Sequence, residues 1–461
     1  METTAIVLAA GEGTRMKSKH PKVAHKMLGR PLVRWAVEAA KQAGAQRAIA
    51  VIGNGASEVR EILAGEHVEC VLQQERLGTG HALRVALDQA NVESGCVVIL
   101  YGDTPLVEPA TINALSQKVI QEGYAAAVLT MEPQDPTGYG RILFDENGAV
   151  AAIIEHKDCT PKQQEELREC NSGIYAFDGR LLKAHVGEIT NDNAQGEYYI
   201  TDMVEILNRA GERVVTVHVD DDTELLGVNS RRQLAEATKI MQRRINGRLM
   251  DAGVTMLDPE CVWVGPEVTV GRDTELLPGT FLWGSTAIGE DCVVGPNTRL
   301  TDTQVGNGCT IDETVAQDVV IENQVECGPR AYLRPGTHML DHSKAGTHVE
   351  IKKSTIGQGS KVPHLSYIGD TTMGEGVNVG AGSITCNYDG YSKHATTIGD
   401  HAFIGSNTMM VAPVAIGEGA LTGAASCIVE DVPAGDLGIA RARQVNVEGY
   451  AAKRAAAHET H

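Results

Sequence analysis

Between Val264 and Ile416 the chain repeats itself on a six-residue period. Aliphatic–glycine pairs stand at Val264-Gly265, Val270-Gly271, Ile288-Gly289 and Val294-Gly295, with gaps of 6, 18 and 6. Ile356-Gly357, Ile368-Gly369, Ile398-Gly399, Ile404-Gly405 and Ile416-Gly417 share a second phase, and Met373-Gly374 and Val379-Gly380 stand six apart between them. A sustained hexapeptide period marks a parallel β-helix: one aliphatic side chain in six turns inward, and stacked coils bury a continuous core. Phase breaks near Val305–Glu350 and Ile384–Thr397 read as insertions, and insertions that leave one face of a solenoid are often functional.

The first 229 residues have a different texture. Near-continuous apolar runs ("TAIVLAA", "AIAVIG", "CVVILYGD", "AAAVLT", "VVTVHV") alternate with helical stretches such as "PLVRWAVEAAKQAG" and "GHALRVALDQA". That alternation predicts βαβ units and a mostly parallel, Rossmann-like α/β sheet, which binds ligands at the carboxyl ends of its strands. "SRRQLAEATKIMQRRINGRLMDAG" reads as one linker helix over 230–253, with Ser230 as N-cap and Gly253 as stop. The expected domains are therefore 1–229, the linker 230–253, and a β-helix with a C-terminal tail over 254–461.

A formal net charge of -20 argues against nonspecific binding to nucleic acid or anionic membranes. No apolar run approaches the roughly 18 residues of a membrane span, and no secretory signal is expected at the N-terminus. The ten cysteines never lie closer than eleven residues, so reduced thiols in a cytoplasmic protein are expected.

Such a protein needs local positive charge to hold phosphate, and "AIVLAAGEGTRMKSKHPK" offers it. Met16 stands where the dinucleotide fingerprint requires a third Gly or Ala, and no Gly-Lys-Ser/Thr follows. The loop suits phosphate but fits neither common phosphate-binding motif. Backbone N–H groups around Ala10–Thr14 can cradle phosphates, and Arg15 and Lys22 can neutralise charge that builds up in phosphoryl transfer. Asp103, at the end of a buried strand in "YGDTP", is either a magnesium ligand or a helix cap, and Asn229 in "GVNS" is likewise a ligand or a cap. Gln73, Gly78 and Thr79 can read a pyrimidine edge, and Gly140, Glu155 and Asn171 suit sugar hydroxyls. In the repeat region His364 is either a structural hydrogen-bonder or a base for an attacking amine.

Together "LAAGEGTRM…PK", "YGDTP", "LQQERLGTGHA", "PTGYGR", "EHKD", "NSGIY", "NDNAQGEYYITD", "LRPG", "VEIKKS", "VPHLSYIGD" and "GVNVGAGSITCNYDG" resemble, in order and over nearly the whole chain, the bacterial bifunctional UDP-N-acetylglucosamine pyrophosphorylase / glucosamine-1-phosphate N-acetyltransferase family. The resemblance implies a left-handed β-helix, a homotrimer with sites between subunits, and two reactions that supply cell-wall precursors. Acetyl-CoA would acetylate glucosamine 1-phosphate in the second half, and the first half would join the product to UMP from UTP. By the same resemblance Leu8, Ala9, Ala10, Gly11, Lys22, Gln73, Gly78, Thr79, Tyr101, Gly102, Asp103, Gly140, Glu155, Asn171 and Asn229 bind the nucleotide and nucleotide sugar, with Mg²⁺ on Asp103 and Asn229. Arg334, Lys352, Tyr367, Asn378 and Lys393 bind the amino-sugar phosphate, and His364 is the base. Ala381, Asn387, Tyr388, Ser406, Ala424 and Arg441 meet coenzyme A. His394, Ala395 and the residues flanking Arg441 depart from the family pattern. Open alternatives are a nucleotidylyltransferase with a regulatory β-helix, a β-helix serving only as a trimerisation stalk, and a zinc site on His338, His342, His348 and His364.

Overall fold

The computed structural model describes residues 1–461 except Asn147, Ala194 (within "NDNAQGEYYITD") and the last three residues, 459–461, of the expected tail. The chain divides into two compact units, 1–243 and 244–461. The helix Arg231–Asp251 runs through the division. Its N-terminus is capped by Ser230, whose hydroxyl accepts from the Gln233 N–H at 3.3 Å.

In the first unit the strands are β1 (Thr3–Ala9), β2 (Arg47–Ile52), β3 (Glu69–Leu72), β4 (Cys96–Tyr101), β5 (Ala126–Met131), β6 (Arg141–Phe144), β7 (Val150–Ile154), β8 (Cys170–Asp178) and β9 (Val214–His218), of which β1, β2, β4, β5 and β9 are the five apolar runs quoted above. The main sheet order is β9-β5-β8-β4-β1-β2-β3, and the β6–β7 pair joins the sheet through β8. β1 runs parallel to both β2 and β4, and its residues are buried throughout because helices cover both faces. β8 is antiparallel to β4 and β5. The sheet is thus mostly parallel, with one reversed strand at its centre that the "NSGIY" motif did not announce.

The second unit is a left-handed parallel β-helix of three sheets with eleven, ten and nine strands. Ile288, Ile321, Met339, Ile356, Ile398 and Ile416 stack inward on one sheet, and Leu276, Val294, Ile311, Val362 and Ile404 on another, all buried. These are the repeat's aliphatic positions and their equivalents, and they form the core.

The first phase break is not an insertion. Val293 stacks on Thr310 and Thr310 on Glu326, steps of 17 and 16 residues where a full coil has 18. These coils lose a residue or two at their turns, and the inward positions keep their register. The second break is a true insertion: Asn378 stacks on Phe403, a step of 25 residues.

Candidate functional site

In the first unit a cavity of about 670 Å³ opens where the strands of the sheet end. Leu8, Ala9, Ala10 and Gly11 line it from the end of β1, Gln73, Gly78 and Thr79 from beyond β3, and Tyr101 and Asp103 from the end of β4, with Lys22 reaching in from the basic loop. Gly13 makes that reach possible. It has φ +64°, and a Cβ there would lie 2.5 Å from the Lys22 Cβ.

The Lys22 ammonium donates to Asp103 Oδ2 and, at 2.9 Å, to Asn229 Oδ1. Asn229 uses its side-chain N–H on the Gly227 carbonyl, and Ser230 caps the helix instead. No helix begins at Pro105, so Asp103 is not a cap either. One carboxylate and one amide oxygen thus converge on a single cation. That donor set fits a hard divalent ion that completes its shell with phosphate oxygens and water.

Gln73 is buried and anchored by donating to the Gly78 carbonyl at 3.2 Å. At Gly78, φ is +106° and a Cβ would meet the Tyr198 carbonyl at 2.5 Å. Tyr198 packs there because the Gly80 N–H donates to its carbonyl at 2.7 Å. Gly140 accepts from the Asn171 N–H at 2.9 Å, and Asn171 donates to the Tyr175 hydroxyl at 2.7 Å. Gly173, two residues along, lies against the Tyr101 ring. Burial raises the Glu155 pKa, against a hydrogen bond from Thr201 at 3.3 Å. Gly102 packs against Leu8 and Ala9. Gly102, Gly140, Glu155, Asn171 and Asn229 are not among the residues that line the cavity. Arg15 is exposed, in a short 3₁₀ turn, and is absent from the wall. Glu12, Arg76 and Glu197 line the cavity and were missed, although "GEG", "QQER" and "GEYY" carried them in plain view.

In the second unit Tyr332, Glu350 and Tyr367 stack outward in register on one sheet. Arg334 donates to Glu350 at 2.7 Å and lies 5.9 Å from the Tyr332 ring centroid. Lys352 sits beside Lys393, whose ammonium holds the Lys352 pKa below that of an ordinary lysine, and Arg334 adds to the effect. Two amines crowded together mark a place for an anion. Asn387 is buried, donates to Asp370 Oδ2 at 2.5 Å and points its amide at the Tyr367 hydroxyl, 3.3 Å away. Lys393 belongs to the insertion, bridged to Tyr388. Asp389 ties that loop by accepting from the Tyr391 and Ser392 N–H groups, and it bonds the departing residue His394 at 2.7 Å. These bonds hold the Asp389 carboxyl well below the usual range.

Ala381, Ser406 and Ala424 occupy the same turn of three successive coils: Asn407 N–H donates to the Ala381 carbonyl and Ala425 N–H to that of Ser406. His364 is exposed one coil earlier, and its carbonyl accepts from Gly382 N–H at 3.2 Å. Asn378 stacks between Lys361 and Phe403 on the same sheet. Tyr388 turns its hydroxyl to the Gly390 carbonyl within the insertion, and Arg441 is exposed beyond the last coil. His338 bonds Glu322 and His348 bonds Thr347. Among the described residues no group of three or more His, Cys, Asp or Glu could hold a metal.

The MobA-like NTP transferase domain family matches residues 5–163. The "Bifunctional protein GlmU" of Caldanaerobacter subterraneus is 49% identical over 453 residues, covering 98% of each chain. That of Carboxydothermus hydrogenoformans is 50% identical over 445 residues, covering 96% of this chain and 99% of its own. That of Streptomyces avermitilis is 48% identical over 453 residues, covering 97% and 94%. With such identity over both units, and with the nucleotide and amino-sugar motifs of the bifunctional pyrophosphorylase/acetyltransferases in order along it, the chain belongs to the GlmU family.

Proposed function

We propose that the β-helix unit acetylates glucosamine 1-phosphate with acetyl-CoA, and that the α/β unit then joins the N-acetylglucosamine 1-phosphate to UMP from UTP, releasing pyrophosphate. The observation that carries the first-unit reading is the convergence of Lys22, Asp103 and Asn229 at the edge of a cavity walled by Gly11, Gln73 and Gly78. Backbone N–H groups after β1 face the phosphates, and Gln73 with Gly78 holds the uracil edge. Gly140, Asn171 and Glu155 take the sugar. The sugar phosphate oxygen attacks the α-phosphorus in line, the bond to the β-phosphate oxygen breaks, and Lys22 balances charge on the phosphates. A magnesium ion on Asp103 and Asn229 would supply further phosphate neutralisation. Arg15 acts from the exposed loop when phosphates are bound.

In the second unit Arg334, Lys352 and Lys393 hold the sugar phosphate, and Tyr367 with Asn378 places the amino sugar. His364 takes a proton as the amine attacks the thioester carbonyl. The carbon–sulfur bond breaks, and the sulfur leaves as the thiol of coenzyme A with the proton that His364 took. Ser406 donates to the developing oxyanion, Ala381 and Ala424 leave room for the pantetheine arm, and Asn387, Tyr388 and Arg441 complete the coenzyme A site. The assembly is a cytoplasmic homotrimer built on the β-helix, with small molecules as its other partners. The decisive experiment follows free thiol from acetyl-CoA and pyrophosphate from UTP in one preparation. Pyrophosphate without thiol would reduce the β-helix to a regulatory or trimerising role.

A further inference from the structure

The nucleotide cavity contains an ion pair that no step above uses. Arg76 Nη1 lies 2.5 Å from Glu12 Oε1, and both side chains line the cavity. Glu12 comes from the loop after β1, and Arg76 from the loop after β3, between the base-reading Gln73 and Gly78. The guanidinium therefore reaches across the cavity to the phosphate loop. The side chains remain 43% and 53% exposed, so the pair is wet and exchangeable.

The charges around it matter. The cavity is lined by two cations, Lys22 and Arg76, against Glu12, Asp103 and Glu197. Lys22 is already engaged by Asp103 and Asn229. Of the two lining cations, Arg76, held only by the half-exposed Glu12, is the one that can change partner when a triphosphate enters this cavity. Guanidinium binds phosphate oxygens in a bidentate fork and is weakly hydrated, so it can exchange a carboxylate for a phosphate at small cost.

We infer that Arg76 is a substrate-gripping residue for the triphosphate, and that Glu12 is its resting partner, displaced when the β- and γ-phosphates arrive. Glu12 keeps Arg76 extended over the phosphate loop before UTP binds and competes with phosphate for it. The pair sets affinity for UTP and pyrophosphate rather than the rate of the chemical step. The inference rests on the nucleotide reading of this cavity.

The two residues have opposite expected effects. In the full-length protein, Arg76→Gln raises the KM for UTP, and for pyrophosphate in the reverse reaction, about tenfold, with little change in kcat and none in the KM for N-acetylglucosamine 1-phosphate. Glu12→Gln lowers the KM for UTP several-fold. In the Arg76→Gln background the Glu12→Gln effect shrinks, because the two act through one contact. Arg76→Lys keeps the charge without the fork and falls between. Wild-type KM for UTP rises with added salt more steeply than that of Arg76→Gln. If both single variants raise the KM for UTP together, the pair is a structural latch and the inference fails. It fails equally if Arg76→Gln leaves every constant unchanged. Absence of UTP turnover by the wild-type protein would instead overturn the nucleotide reading itself.

Discussion

Asp103→Asn separates the two activities. The substitution keeps a side chain of the same shape and an oxygen that can accept from Lys22, and it removes only the charge. Both side chains of the Lys22–Asp103 pair are 14% exposed, so solvent screens the loss poorly. Breaking such a mostly buried pair costs about 3 kcal/mol, equivalent to about two decades in an equilibrium constant. The same charge is one of two proposed protein ligands to the metal, and losing one preorganised electrostatic partner typically lowers turnover about 10²- to 10³-fold. Pyrophosphate release should therefore fall by at least two decades, measured with coupled phosphate detection at saturating UTP. Thiol release from acetyl-CoA by the same preparation should stay within about twofold of wild type, because Asp103 lies in the unit 1–243 and the proposed acetyl-transfer residues in the unit 244–461. A folded Asp103→Asn protein that loses both activities equally, or keeps pyrophosphate release, refutes the reasoning.

His364→Ala should lower acetyl-transfer turnover about 10²- to 10⁴-fold with little change in the KM for acetyl-CoA. Raising the pH should partly restore it, because more substrate amine is then neutral; loss of sugar affinity alone would make His364 a binding residue. A fragment of residues 1–250 should keep uridylyl transfer and run as a monomer in light scattering, and a trimeric fragment would contradict the assignment of assembly to the β-helix. Burial, aided by Glu205 and Asp158, raises the Asp202 pKa to about 6 from an ordinary 3.8. A carboxyl raised on folding binds its proton more tightly in the native state, so it costs stability increasingly as pH rises from about 4 through about 6. Asp202→Asn should therefore raise the melting temperature at pH 8 and leave it nearly unchanged at pH 4; equal gains at both would reject burial of charge as the cause.

Much of this was legible in the sequence because glycines and aliphatics report backbone needs directly. Leu8–Gly11, Gln73, Gly78 and Asp103 fall on one rim because each lies at or beyond the carboxyl end of a parallel strand, and the two buried ones, β1 and β4, read as apolar runs. Side-chain reach is less legible. Arg76 looked like one residue of a loop, and only the fold sets it against Glu12, 64 positions earlier. Arg15 carried the charge expected of the wall, but its 3₁₀ turn leaves it in solvent. β8 was less legible because Asn171, Ser172 and Gly173 interrupt its apolar residues, and nothing in its composition gives its direction. The repeat's broken phase misled for a simpler reason. A missing turn residue and an added loop shift a six-residue period alike, and only the stacking of Val293 on Thr310 tells them apart.

That stacking also decides how damage spreads. Each strand of the β-helix pairs only with the strand one coil before and one coil after. There is no shared centre for all coils to lean on, and the domain is a linear chain of nearest-neighbour couplings. A defect in a middle coil therefore does not soften the whole. It cuts the stack into two blocks, each with a new exposed end. The outermost coils, with one neighbour apiece, open first and most often. Arg334, Lys352 and Tyr367 are carried by coils with several others on either side, whereas Ser406 and Ala424 stand on the last coils of the stack. Fraying at the N-terminal end is absorbed before it reaches any of these residues, whereas at the C-terminal end it reaches the proposed coenzyme A contacts directly.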